Sequence, residues 1–234
     1  MFSSHSPRPM ANSLRVLAAL LGYPDARLRD HLPEMEGLLL AEGALSPERC
    51  AEVVALIEAM RRAEPLQAEA DYVDLFDRGR STSLHLFEHV HGDSRDRGPA
   101  MIDLGATYAR AGLFLVEGEL PDYLPAVLEF VSTQPPLEAR AFLGEMGPVV
   151  NAIFGALQRQ ESAYASVAGA LLDLADDRSQ PVAPPPEVPM DDAWEEPPVF
   201  DGCSSQGQAK PGAAQPIHLI RRESGHHSRK GAPT

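Results

Sequence analysis

Apolar positions recur three and four residues apart almost from the start of the chain. Leu14, Leu17, Ala18 and Leu21 fall at i, i+3, i+4 and i+7 behind Asn12, a good N-cap type, and Gly22-Tyr23-Pro24 ends the pattern. Pro24-Asp25 opens a second helix, which Pro33 interrupts or restarts ahead of Leu38–Leu40. Ser46-Pro47 pairs a capping hydroxyl with a proline at the first helical position, and Val53, Leu56, Ile57 and Met60 keep the helical period behind it. Tyr72, Leu75 and Phe76 share a face of the next helix, which ends at Arg78-Gly79. Ser81 or Ser83 then caps a helix running through His91 to Gly92. Met101, Leu104, Gly105, Tyr108, Ala111 and Leu115 line a longer helix from near Pro99, whose small residues Gly105, Ala109 and Gly112 would let another helix approach closely. Leu124, Val127, Leu128 and Val131 repeat the signal, as do Val149, Ile153, Phe154 and Leu157, then Tyr164, Val167, Ala168 and Leu171. No stretch alternates with period two, and no Asn-Gly or Asp-Gly turn lies between β-branched runs. The pattern predicts an all-α, single-domain bundle of about eight to ten helices.

Periodicity fades near residue 178. Residues 181–234 hold 10 of the 22 prolines, with Gly, Ser and Gln between them, too little apolar surface to offset the entropy of ordering the backbone. The expected organisation is a flexible N-terminus over 1–10, a helical domain over 11–177 and a disordered acidic, Pro-rich tail over 178–234. The chain of 234 residues carries 34 carboxylates against 20 Lys and Arg, a formal charge of −14. An excess of that size repels phosphate backbones, excludes sequence-independent nucleic-acid binding and favours a basic partner. The two cysteines, Cys50 and Cys203, are far apart and form neither a disulfide framework nor a thiolate zinc site. The longest unbroken apolar run, Val16–Leu21, is six residues, far below the ~20 that span a bilayer. Met1 to Met10 contain no apolar signal-peptide core. A cytoplasmic protein with no direct membrane insertion is expected.

Catalytic motifs are scarce. His85-Leu-Phe-Glu88-His89 matches the H-x-x-E-H pattern of inverted zinc peptidases, in which two imidazoles one turn apart hold zinc and the carboxylate activates its water. On a helix, His85 and His89 would lie about 40° apart, but His91 would sit about 160° from His89 and could not be a third ligand. Leu86, Phe87 and Val90 form the opposite apolar stripe, so His85, Glu88 and His89 read better as a polar face turned to solvent or a partner than as a metal site. No bound metal is expected. Neither a Gly-rich phosphate loop nor a G-x-S-x-G elbow occurs. Arg78, Arg80, Arg95 and Arg97 bracket the same helix and locally reverse the acidic sign. They suit phosphate groups or an acidic surface, or internal pairing with Glu88, Asp93 or Asp96.

The segment YVDLFDRGRSTSLHLFEHVHGDSRDRGPAM (72–101) resembles the signature of the nitrate reductase molybdenum cofactor assembly chaperones of the NarJ type, within the wider TorD/DmsD-like group of redox-enzyme maturation chaperones. ELPDYLPAVLEF (119–130) is similar to the second motif of that family, LLGYP (20–24) fits its early sequence, and WEEPPVF (194–200) resembles its C-terminal tail. The broader group usually carries histidine after the Pro-Asp pair, where Tyr123 stands here. The resemblance implies a chaperone, not an enzyme. Such a protein binds the N-terminal segment of the apo catalytic subunit of respiratory nitrate reductase and assists molybdenum cofactor insertion before membrane attachment, holding no cofactor stably itself. Helix-in-groove recognition of a basic segment suits an acidic helical body. The candidate client-binding residues are Tyr72, Leu75, Phe76, Leu86, Phe87 and Glu88, with Pro121, Asp122 and Tyr123 at the edge. Arg78, Arg80, His85, His89, Arg95 and Arg97 form the candidate polar face towards client or cofactor. Ordinary core packing gives the same apolar spacing, and Asp122 also fits a helix N-cap. The alternatives are a helical adaptor with another molybdoenzyme client and a zinc metallopeptidase acting through His85, Glu88 and His89.

Overall fold

The computed structural model describes residues 9–175 except Asp93 and Glu117. Residues 1–8 of the expected flexible N-terminus and the whole of the expected Pro-rich tail, with Trp194, Phe200 and Cys203, lie outside the described residues; Pro9 and Met10 are described, and Met10 is buried in the core. Among the described residues nine α-helices follow one another: α1 (Ala11–Leu20), α2 (Ala26–Glu42), α3 (Pro47–Arg62), α4 (Pro65–Tyr72), α5 (Leu86–Val90), α6 (Arg97–Arg110), α7 (Leu124–Ser132), α8 (Pro136–Arg159) and α9 (Ala165–Leu174). Among the described residues there is no strand, only a one-residue antiparallel bridge between His85 and Tyr123. The all-α expectation is met.

The apolar periods become one core. Leu14, Leu17 and Leu20 of α1 pack with Leu124 and Leu128 of α7, Ile153 and Leu157 of α8, and Leu171 of α9, all essentially without solvent contact. Each such side chain removed from water contributes roughly 1.5–3 kcal/mol. The close approach expected at Gly105, Ala109 and Gly112 occurs elsewhere: Ala109 and Gly112 are exposed, α6 buries only Tyr108, and Gly112 adopts φ +77° just past the helix end. Gly169 of α9 is a glycine crowded from another helix. A Cβ there would meet the Arg49 guanidinium Nη1 at 2.5 Å, and Arg49 reaches over the glycine to pair with Asp173 at 2.8 Å.

Local signals held at two ends and shifted at two others. Asp25 caps α2 through Leu28 N–H at 2.8 Å, and Ser46 caps α3 through Arg49 N–H at 3.2 Å. Asn12 is inside α1, whose first amides are instead capped from a distance. Glu42, at the end of α2, accepts from the N–H groups of Asn12 at 3.0 Å and Ser13 at 2.6 Å. Pro33 does not break α2, since its exposed ring costs one backbone hydrogen bond that the packed Leu32 and Leu39 offset. No helix among the described residues is long and apolar enough to cross a membrane.

Candidate functional site

The segment expected to hold the site is less regular than its periodicity suggests. The helix carrying Tyr72 continues as a π turn (Val73–Asp77), followed by a 3-10 turn (Arg80–Thr82) and an extended stretch through His85. Thr82 Oγ1 donates to Leu75 O, closing the chain on itself. Gly79 is required there, because a Cβ would lie 2.9 Å from that same carbonyl. The extended stretch pairs with the entry to α7: Leu86 N–H donates to Asp122 O at 3.0 Å, and Leu124 N–H to Leu84 O at 2.8 Å.

His85 therefore precedes α5 rather than standing on it, which undoes the H-x-x-E-H geometry. Its Nδ1–H donates to Asp122 Oδ1 at 3.3 Å, while His89 Nε2–H donates to Ser83 O at 2.8 Å and Glu88 accepts from the Ser83 hydroxyl at 2.6 Å. No group of three or more His, Cys, Asp or Glu side chains among the described residues is placed to hold a metal ion.

Asp122 is the hub. It is 0% exposed, it does not cap α7 (Tyr123 occupies that cap), and its Oδ2 accepts from Phe87 N–H at 3.1 Å, capping α5 from across the bridge. Arg97 Nη2 lies 3.8 Å from the same oxygen and 3.5 Å from Glu88. The hydrogen bond to Asp122 raises the His85 pKa above its ordinary value, outweighing the opposing effects of burial and Arg97.

The four arginines are placed differently: Arg97 is drawn inward towards Glu88, Arg78 pairs with Asp74 at 2.7 Å, and Arg80 and Arg95 are exposed.

Tyr72, Phe76, His85 and Tyr123 come together around one cavity of about 230 Å3, completed by Tyr23, Asp77 and Leu84. Tyr72 is almost buried, donating to Leu21 O at 2.8 Å and sharing a hydrogen bond with Tyr123 at 3.2 Å. Burial raises its pKa, as it does that of Tyr123. Leu75, Phe87 and Glu88 are partly exposed, while Leu86 is core; none of these, nor Pro121, lines the cavity. Nothing in the sequence pattern marks Tyr23 and Asp77 as lining residues, because neither belongs to an apolar stripe.

A second concavity of about 440 Å3 opens beside the α6–α7 loop. Tyr108 and Phe130 form its aromatic floor, their rings 4.9 Å apart, and Tyr108 donates to Pro121 O at 2.7 Å. Leu113 and Leu115 line it, with Phe114 83% and Val116 71% exposed on the rim beside Glu119 and Glu129. The sequence pattern carried α6 through Leu115. Gly112 is the signal that a helix ends two residues earlier and releases Phe114 and Val116 to the surface.

A family model, nitrate reductase delta subunit, matches residues 42–166. The nitrate reductase molybdenum cofactor assembly chaperone NarJ of Escherichia coli K12 is 44% identical over 162 residues, 69% of each chain. NarW of the same strain is 38% identical over 162 residues, covering 69% of this chain and 67% of its own. An Archaeoglobus fulgidus crystal structure assigned to redox enzyme maturation superposes with a TM-score of 0.51 at 20% identity, over 76% of this chain and 98% of that one, a likeness of fold.

Proposed function

The chain belongs to the nitrate reductase delta subunit family, and on that premise we propose that it is a chaperone rather than an enzyme, serving assembly of a respiratory nitrate reductase. It binds the N-terminal segment of the apo catalytic subunit in the cytoplasm and keeps that subunit open to molybdenum cofactor insertion before membrane attachment. The similarity to NarJ over most of both chains is the observation that carries this reading.

The surface supports the choice of an amphipathic, basic segment as the bound element. The groove beside the α6–α7 loop offers exposed apolar anchors, Phe114 and Val116, next to the carboxylates of Glu119 and Glu129. Apolar contacts of this kind supply affinity, and an overall charge of −14 speeds encounter with a basic segment. Arg15, the cation of that groove, is partly engaged, its Nε donating to Ser132 Oγ at 3.2 Å.

Titration calorimetry of the full chain with a synthetic peptide of the catalytic subunit's N-terminal segment tests the reading. One-to-one binding that weakens with salt is expected, and a peptide that fails to bind overturns it. Affinity capture from anaerobically grown cells separates the adaptor alternative, which would retain a different molybdoenzyme subunit.

A further inference from the structure

The smaller cavity has a chemistry of its own. Three phenol rings and Phe76 surround it, with Tyr23 edge-on to Tyr72 at 5.6 Å and Phe76 tilted against Tyr72 at 4.9 Å. Asp77 brings an exposed carboxylate to the same wall, and its negative charge raises the pKa of both Tyr72 and Tyr123. A second carboxylate, Glu69, accepts from the Tyr23 hydroxyl at 3.0 Å. The lining group able to become cationic is His85, and the buried Asp122 carboxylate behind it answers that charge. Arg78, next in sequence to Asp77, is turned to Asp74. At about 230 Å3 the cavity is smaller than the ~300–1,000 Å3 of small-molecule sites and suits one long side chain.

We infer that this cavity receives a single guanidinium or ammonium side chain, set among the rings of Tyr23, Phe76 and Tyr123 and against the Asp77 carboxylate. Aromatic rings attract a cation within about 6 Å of their centroids, and a flanking carboxylate adds charge pairing without demanding a buried ion pair. An anion is disfavoured by Asp77, and a purely apolar side chain leaves that carboxylate unanswered. The source of the side chain rests on the proposed function: it is a basic residue of the client segment, anchored here while apolar residues occupy the neighbouring surface.

The test uses N-acetyl-arginine methylamide as probe and N-acetyl-norleucine methylamide as its uncharged counterpart, each titrated into the full chain. Ring resonances of Tyr23, Tyr72 and Tyr123 are followed by NMR. The arginine probe is expected to shift them saturably and the norleucine probe is not. Asp77→Asn, which removes charge at an exposed position, is expected to weaken arginine binding by about two- to fivefold. Tyr23→Leu, which keeps apolar bulk but removes the ring, is expected to weaken it by a similar factor. The inference is overturned if arginine leaves those rings unmoved, if norleucine binds as well, or if both variants bind like the parent chain. A client peptide that does not bind, on a chain that still takes arginine, would overturn the proposed function and leave this site standing.

Discussion

The α1, α7, α8 and α9 half of the molecule and the stretch from α4 to the entry of α7 are held in different ways. In the first, leucines and small residues interlock around a few buried polar side chains, Ser13, Ser132, Asn151 and Ser166, and apolar contact does most of the holding. In the second, α6 buries a single side chain, α5 is five residues long, and the segments are tied by polar contacts: Tyr72 to Leu21 O, Asp122 to His85 and Phe87, Tyr108 to Pro121 O. Dispersion and burial are spread over many atoms, whereas a few hydrogen bonds concentrate the holding energy on a few groups. A segment held in this way opens at lower cost than the packed half. The smaller cavity is built mainly on it, and the larger one lies between it and α7, with Arg15 of α1 at the border.

The difference can be broken first where packing dominates. Leu128→Ala, between α1 and α7, is expected to cost about 3–5 kcal/mol and to lower the denaturant midpoint of the whole domain. Asp122→Ala should cost about 3 kcal/mol, since it leaves the Phe87 amide without its acceptor and takes the buried carboxylate from the partly exposed His85 ring and Arg97. Its signature is local: faster amide exchange over residues 84–90, with α8 and α9 still protected. Tyr72→Phe, which removes one hydroxyl and leaves Leu21 O short of a donor, is expected to cost about 1 kcal/mol in the same measurement.

A pH series sharpens the contrast further. The pKa of His85 is raised in the folded chain, so its pairing with Asp122 contributes fully below the unfolded value near ~6.5 and fades as pH rises through the folded value. Stability should therefore decline across that window in the parent chain, and His85→Gln should remove that part of the slope. The smallest expected effect on stability belongs to Phe114→Ser, within about 0.5 kcal/mol because the ring is already in water. The same substitution should weaken binding of the client peptide, as calorimetry would show.

The two regions were also unequally legible. Val53, Leu56, Ile57 and Met60, or Leu124, Leu128 and Val131, follow the helical period because burial alone places them. Tyr72 and Phe76 followed it too, yet their apolar faces line a cavity only because Tyr23 and Tyr123 arrive from distant segments. The pairing of residues 84–86 with 122–124 spans nearly forty positions and leaves no period in either segment, so the sequence pattern puts His85 on a helix that starts after it. Asp122 could be read as a cap, but not as the cap of a helix more than thirty residues earlier. Phe114 and Val116 looked like the end of an apolar helix face until Gly112 turned the chain away.

Hydrogen–deuterium exchange of the full chain, with and without the client peptide, tests the central claim most directly. The claim is that the polar-tied stretch and the α7 face bordering it, and not α8 and α9, take up the immature subunit. Protection should rise over α5, α6 and the loop through Tyr123, with α8 and α9 unchanged. Protection confined to α8 and α9, or absent throughout at saturating peptide, would contradict it.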